Sequence, residues 1–236
     1  MQIIEVTDFG VRSAVIRLKC RATPLQFVLY PMIHVAEPTF FAAVADRLKR
    51  ADIVVVEGVG RSRAGGSVLV NALTFSYSVL RYNRRSPLVV DQIDYAALGV
   101  ELVRPDVDAA QFKAGWRRIP LADRAAVWLA LPFVVLVRLF GGTRALWTSS
   151  MEQNDLPTPQ DEALADRYPE LERALGGERD DRLLAALRRL HEEHGGEAVE
   201  VAVVYGAAHM PAVVYGLMRL GYRPRSGDWL TVVDFP

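Results

Sequence analysis

Short apolar runs alternate along the chain with segments of helical spacing. Four runs rich in valine and isoleucine, bounded by charged residues, proline or glycine, predict buried strands. They are Gln26–Tyr30, Asp52–Val56, Leu88–Val90 and Val199–Val204. The second and fourth runs barely alternate in polarity, which is typical of parallel strands covered by helices on both faces.

Two runs near the start of the chain are more mixed in polarity. Ile3–Val6 contains a glutamate and Val15–Leu18 contains an arginine. This pattern favours an antiparallel or edge hairpin. Thr231–Val233 predicts a further strand that closes the sheet at its other end.

Three segments carry apolar residues at helical spacing. Pro38 and Pro211 stand near the start of two of them, where a missing N–H costs little, and Gly221 ends the last. The stripes are formed by Phe40, Phe41, Val44 and Leu48, by Leu183, Leu184, Leu187 and Leu190, and by Val213, Val214, Leu217 and Leu220. The resulting order of strands and helices predicts an α/β fold with a largely parallel sheet flanked by helices.

The middle of the chain, approximately residues 105–175, shows helical patterns without strands. We interpret it as a helical insert or cap within a single α/β domain over residues 1–236, because this length suits one large domain. Its apolar run Ala125–Val137 has 13 residues, contains Pro132 and is too short to span a bilayer alone. Such a helix can pack against the core or a partner in a homodimer, line an apolar pocket, or touch a membrane surface peripherally.

The composition narrows the classes of function. Lys plus Arg and Asp plus Glu number 28 each, so the formal net charge is zero and nothing draws the protein toward nucleic acid. Hydrophobic residues make up 51% of the chain, which is enough for a packed core. The lone Cys20 forms no internal disulfide, and the first residues lack the pattern of a secretory signal. We therefore expect a cytoplasmic protein without a transmembrane span.

Four ionisable residues stand at or just after the carboxyl ends of predicted strands. They are His34, Glu57, Asp91 and His209. In open α/β sheets the ligand crevice lies beyond these ends, so residues distant in sequence can converge there. Imidazole nitrogen with carboxylate oxygen suits zinc, manganese, cobalt or iron.

The surroundings of the two histidines favour metal binding. His34 precedes the helix opened by Pro38, and His209 precedes the helix opened by Pro211. The positive end of a helix dipole disfavours imidazolium and keeps a ring able to bind metal. Gly206, three residues before His209, allows the backbone to turn sharply.

Each of these residues also has an ordinary structural interpretation. A histidine near a strand end is commonly a hydrogen-bonded loop residue. Glu57 suits a charged strand end that faces water, and Asp91 suits a turn or helix cap. The repetition of suitable donor types at several strand ends favours a common site.

The segment Gly176–Asp181 leads directly into the helix that contains Leu183. Acidic residues in a first helical turn suit the dipole, whereas Arg179 does not. A cation placed there can bind a substrate carboxylate or carbonyl oxygen. The alternative is a solvated arginine among acids. The chain contains no P-loop, dinucleotide fingerprint or Gly-x-Ser-x-Gly motif.

Four motifs, in this order, resemble those of TraB/PrgY-type proteins. They are Pro31–His34, Ala51–Glu57, Glu178–Asp180 and Gly206–His209. The family counterparts are a Gly-x-x-His, a (P/A)D-x-(V)-x-x-E strand, an (E/D)R(N/D) and a second Gly-x-x-His. The resemblance covers residues 26–92 and 176–221. The same scaffold is similar to the Tiki metalloproteases and, more remotely, to erythromycin esterase and the ChaN haem-binding proteins.

The resemblance implies an erythromycin esterase/ChaN-like α/β fold with a divalent metal ion, namely manganese, cobalt, zinc or iron. It assigns His34, Glu57 and His209 as metal ligands, with Arg179 as a polar partner. In a hydrolase we expect Glu57 and Arg179 to be the catalytic groups, with Glu57 a base where the two histidines alone hold the metal and Arg179 steadying the developing oxyanion. Further residues expected to line the site are Asp91, Glu178 and Gly206.

One departure from the family pattern leaves the activity open. Pro31 stands where the family has glycine, so the backbone that enters His34 is stiffer. One hypothesis is a metal-dependent hydrolase, a metallopeptidase or esterase that acts on a peptide or small-molecule substrate. The other is a non-catalytic protein that binds or sequesters a peptide or haem in the same cleft.

Overall fold

The computed structural model describes residues 1–58, 88–105, 117–126, 128–129 and 177–235, with the backbone of 153–154. In chain order the strands are β1 (Gln2–Thr7), β2 (Gly10–Lys19), β3 (Gln26–Met32), β4 (Val35–Ala36), β5 (Ile53–Val56), β6 (Val89–Val90), β7 (Glu101–Val103), β8 (Gln153–Asn154), β9 (Glu200–Gly206) and β10 (Arg223–Asp234). The helices are α1 (Pro38–Leu48), α2 (Glu178–His194) and α3 (Met210–Arg219), with 3₁₀ turns at Tyr95–Leu98 and Ala207–His209. Residues 121–126 are also helical.

Four parallel strands form the part of the main sheet that positions the candidate residues. Their order across the sheet is β7-β5-β9-β3. The register places Met32 opposite Gly206 and Val56 opposite Val204, so the carboxyl ends of three strands lie along one edge. β5 is buried throughout, and β9 is buried after its first residue, which explains why neither run alternates in polarity.

The rest of the main sheet is antiparallel. β10 pairs with β2 along the whole length of β2, and the other side of β2 is shared by β1 and β3. The antiparallel hairpin predicted from mixed polarity is confirmed, although β2 lies inside the sheet. The strand predicted at Thr231–Val233 is part of β10. The fold is therefore α/β, with a mixed sheet of eight strands in the described residues. The expectation of a largely parallel sheet holds only for one side of it, from the edge strand β7 to β3.

The prediction that Leu88–Val90 is a buried strand of the main sheet is wrong. β6 pairs antiparallel with β4 in a separate two-stranded sheet, and both of its residues are partly exposed. The place beside β5 is taken by β7, where the sequence predicts no strand; its residues are exposed or half-buried. Apolar character alone does not specify which partner a strand pairs with, since pairing is decided by distant segments.

The helical insert predicted at 105–175 contains a strand. β8 pairs antiparallel with β1 at the margin of the main sheet, in a segment for which the sequence predicts helices without strands. Apart from 117–126, 128–129 and 153–154, this segment lies outside the described residues. Most of the apolar run 125–137 also lies outside the described residues.

The predicted apolar faces of the helices are confirmed. Helix α1 buries its whole predicted stripe, and α2 does so with Ala186 in place of Leu184. Helix α3 buries Val213, Val214 and Leu217, whereas Leu220 follows its last residue and is half-buried. Pro38 and Pro211 lie in the first turns of α1 and α3. Gly221 follows α3 at φ 91°, a left-handed conformation that favours glycine. Among the described residues, no helix combines the length and apolar character needed to cross a membrane.

Candidate active site

The carboxyl ends of β3, β5 and β9 bring together the three residues predicted as metal ligands. Gly206, the last residue of β9, lies at the centre of the group. A Cβ atom at this glycine would lie 3.4 Å from Glu57 Oε2, 3.7 Å from His34 Nε2 and 3.7 Å from His209 Cδ2. Side chains from distant parts of the sequence therefore surround one point, which stays open because Gly206 has no side chain.

Glu57 is anchored to two other elements. Its backbone N–H donates to Val204 O at 3.2 Å, and its Oε2 accepts from the Gly206 N–H at 2.9 Å. Its Oε1 accepts a hydrogen bond from Arg179 Nη2 at the start of α2. The two side chains are 16% and 11% exposed, respectively. This nearly buried ion pair joins β5 and β9 to α2.

The surroundings of Glu57 make it strongly acidic. Burial is the largest single influence and raises the pKa of its carboxyl, but the charge and hydrogen bond of Arg179 together with the charges of the two histidines outweigh it. The pKa therefore falls from 4.5 to about 2. Glu57 is therefore ionised throughout the neutral range. So acidic a carboxylate is a weak general base near pH 7, and it suits a metal ligand or a fixed negative charge better.

His209 is oriented by a carboxylate from the first turn of α2. Its Nδ1–H donates to Asp180 Oδ1 at 2.6 Å. Its ring packs edge-on against Tyr205, with the ring centroids 5.8 Å apart, and the residue is 7% exposed. Because the hydrogen bond keeps the proton on Nδ1 of the neutral ring, Nε2 is left as an acceptor or ligand.

The start of α2 contributes two residues to the site. Within the motif Glu178–Asp180, the sequence predicts site roles for Glu178 and Arg179 and none for Asp180. The structure brings Arg179 and Asp180 to the site, whereas Glu178 Oε1 lies 3.5 Å from Arg118 Nη1, with 42% of its side chain exposed. The only sequence feature that marks Asp180 is its position as the acidic residue directly after Arg179. Three acids share this turn, however, and successive helical residues point about 100° apart, so orientation was needed to choose among them.

His34 and Asp91 lie next to each other on the exposed side of the site. His34 is exposed, and its carbonyl oxygen accepts from the Asp91 backbone N–H at 3.0 Å. The Asp91 carboxylate accepts from the Ile93 N–H at 3.0 Å and lies 3.5 Å from the Tyr95 hydroxyl, as in an Asx turn. Asp91 thus reaches this region through the pairing of β4 with β6.

Pro31 does not prevent His34 from reaching the site. It lies inside β3, opposite Tyr205 of β9. Its carbonyl oxygen accepts from the buried Ser13 hydroxyl at 2.6 Å. The fixed φ of proline suits the extended strand, so the chain continues regularly toward His34.

The donor set fits a divalent metal ion in chemical type. Two imidazoles and a carboxylate suit zinc, manganese, cobalt or iron, and Asp180 supplies the outer carboxylate that metal-binding histidines commonly have. In the described parts of the chain, no group of three His, Cys, Asp or Glu side chains is close enough together to hold an ion. Metal binding would therefore require the side chains around Gly206 to move closer together.

Comparisons with known proteins identify no relative, so the function is argued from the geometry of the site. No family model, curated protein or solved structure matches the chain. The resemblance to TraB/PrgY-type proteins remains a hypothesis, supported by the four motifs and by the meeting of their residues at one edge of the sheet.

Proposed function

We propose that this protein is a metal-dependent hydrolase with its active site at the carboxyl edge of β3, β5 and β9. One observation carries the proposal: Glu57 Oε2, His34 Nε2 and the His209 ring surround the space over Gly206. The TraB/PrgY and Tiki resemblance supplies the substrate class, a peptide or a small-molecule ester. Zinc, manganese, cobalt and iron are the candidate ions.

Each residue of the site has its own role in this proposal. His34, Glu57 and His209 would hold the ion, which supplies Lewis acidity by polarising a carbonyl group and making water more acidic. Asp180 holds the His209 ring with Nε2 facing away from the hydrogen bond. Arg179 keeps Glu57 ionised and, in this proposal, steadies the negative charge that develops on the substrate oxygen.

One observation favours a second mechanism with the same residues. Both oxygens of Glu57 already accept hydrogen bonds, one from Arg179 and one from Gly206. A hydrolase without metal would use His209, held by Asp180, as the general base that takes a proton from water. Glu57 would then serve as a fixed negative charge next to the imidazolium.

Metal titration tests the leading proposal. Chelator-stripped protein is titrated with each of the four ions, and calorimetry and the melting temperature are recorded. We expect saturable binding by the wild type, loss of binding in the His34→Ala/His209→Ala double variant, and unchanged binding in His194→Ala. His194 is a fair control because it lies at the end of α2, where it contacts Glu197. If no ion raises the melting temperature and the double variant binds as the wild type does, the metal assignment is wrong.

A panel of fluorogenic peptides and nitrophenyl esters separates the two mechanisms. Metal-dependent activity is lost with chelator and restored by one of the ions. Metal-free activity persists with chelator and is lost in His209→Ala. No turnover with any ion would contradict both mechanisms and favour the binding-only hypothesis, for which a peptide titration and a shift of the haem Soret band are the measurements.

A further inference from the structure

A cavity of about 560 Å³ lies over one face of the sheet, separate from the candidate active site. Strands β2, β3, β9 and β10 form its floor, and the end of α1 forms one wall. Arg17 on β2 is opposite Val28 on β3 and Ser226 on β10, so the side chains of neighbouring strands face the cavity together. Neither His34 nor His209 lines it.

Among the described residues, three arginines and two carboxylates line this cavity. Arg17 Nη1 pairs with Glu200 Oε2 at 2.6 Å, and Arg47 Nη2 pairs with Asp228. Arg50, which follows the end of α1, has no carboxylate partner in the described part of the chain. Among the described side chains that line the cavity, guanidinium groups therefore outnumber carboxylates by one. Asp46 outside the cavity pairs with Lys49 and is close enough for Arg50 to help lower its pKa.

The Tyr30 hydroxyl adds an uncharged donor at the centre of these groups. Tyr30 is 4% exposed. Burial and the charge of Glu200 raise the pKa of its hydroxyl, while the charges of Arg47, Arg17 and Arg50 lower it less strongly. The hydroxyl therefore keeps its proton at neutral pH and can donate it in a hydrogen bond. Val15 and Val28 supply apolar surface in the same cavity.

We propose that this cavity binds a small organic anion that carries a phosphate or carboxylate group on a partly apolar body. Arg50 would supply the excess positive charge, and Tyr30 would donate a hydrogen bond to the same oxyanion. Guanidinium groups bind both kinds of oxyanion through paired N–H donors. The volume is in the range of ligand pockets, and the two valines suit an apolar body. This inference stands whether or not the protein is a hydrolase.

Three probes with the same aromatic ring test the proposal by calorimetry at constant ionic strength. Phenyl phosphate and benzoate carry the two oxyanions, and benzamide has no charge. We expect saturable binding of at least one anionic probe and none of benzamide. Tighter binding of phenyl phosphate identifies a phosphate site, and tighter binding of benzoate identifies a carboxylate site. If neither anion binds at millimolar concentration, or if benzamide binds equally well, the proposal is wrong.

Substitutions in the cavity test whether the anionic probe binds there. Arg50→Gln should weaken it at least about tenfold, since a hydrogen bond to a charged group is lost. Tyr30→Phe keeps the ring that fills the site and should weaken binding severalfold. Arg188→Gln is the control, because Arg188 is an exposed residue of α2 outside the cavity. An equal loss in Arg188→Gln, or wild-type affinity in both cavity variants, would overturn the proposal. So would a loss of binding in His34→Ala, because the probe would then occupy the candidate active site.

Discussion

The buried ion pair between Arg179 and Glu57 provides a quantitative test of the site. The substitution Arg179→Met keeps a long side chain and removes its charge. The Glu57 carboxylate would keep the Gly206 N–H as a donor and lose its main cation. Burial, the largest influence on the carboxyl, would then act with less opposition, so we expect the pKa of Glu57 to rise.

The shift in the pKa of Glu57 on folding gives the scale of its effect on the free energy of unfolding. A fall from 4.5 to about 2 on folding corresponds to ~3 kcal/mol of stability, since one pKa unit is worth about 1.4 kcal/mol. Because the folded-state pKa is lower, this stability is fully present at pH 7 and is lost as the pH falls from about 5 toward 2. That figure is the net of burial and several cations. For Arg179→Met itself we expect a loss of about 3–5 kcal/mol in the free energy of unfolding at pH 7, the usual cost of removing one partner of a buried ion pair, and a smaller difference from wild type in acid.

Urea unfolding with chelator present, followed by tryptophan fluorescence, is the assay. Arg179 makes further contacts, so a double-mutant cycle with Glu57→Gln is needed to isolate the pair. Lys49→Met is the exposed control, because both Lys49 and its partner Asp46 are exposed and little stability should change. A coupling energy under ~1 kcal/mol at pH 7, or one that stays constant down to pH 3, would refute this account of the site.

Asp180→Asn should weaken the hydrogen bond that orients His209, and should therefore lower metal affinity or kcat about 10- to 100-fold. The melting temperature should stay nearly unchanged. Gly206→Ala places a methyl group at ordinary contact distance from the surrounding side chains, so we expect a folded protein that calorimetry shows to bind metal poorly. Unchanged metal binding would contradict the assignment of that space. Gly10→Ala should cost more than ~2 kcal/mol in urea unfolding, because a Cβ at φ 154° would collide with the Val233 carbonyl oxygen. Gly99→Ala, with open space around it, should cost only ~1–2 kcal/mol for its left-handed backbone.

Local patterns predicted the elements whose identity depends on their own burial. β5 and β9 are covered on both faces, so their buried positions 53–56 and 201–204 are all apolar. Helix α1 is covered on one face, so its apolar residues follow the helical period. Such elements can be predicted because each position shows directly whether it meets water or core.

Pairing partners were beyond the reach of the same patterns. β6 is as apolar as a central strand but pairs with β4, whereas β7 takes the edge position with a weak pattern. β8 consists of two polar residues, and only the free edge of β1 makes it a strand. In each case the partner comes from a distant segment, and a short run carries no information about it.

The candidate site divides in the same way. The sequence by itself determined the chemistry available: His34, Glu57 and His209 follow strand ends, and parallel strands direct such residues to a common edge. Only the tertiary structure decided how those groups are used. In the fold Asp180, and not Glu178, forms the hydrogen bond to His209. Glu57 pairs with Arg179, so its carboxylate stays ionised. Residue types and their order are local properties, but orientation, burial and charge pairing arise only when distant segments pack together.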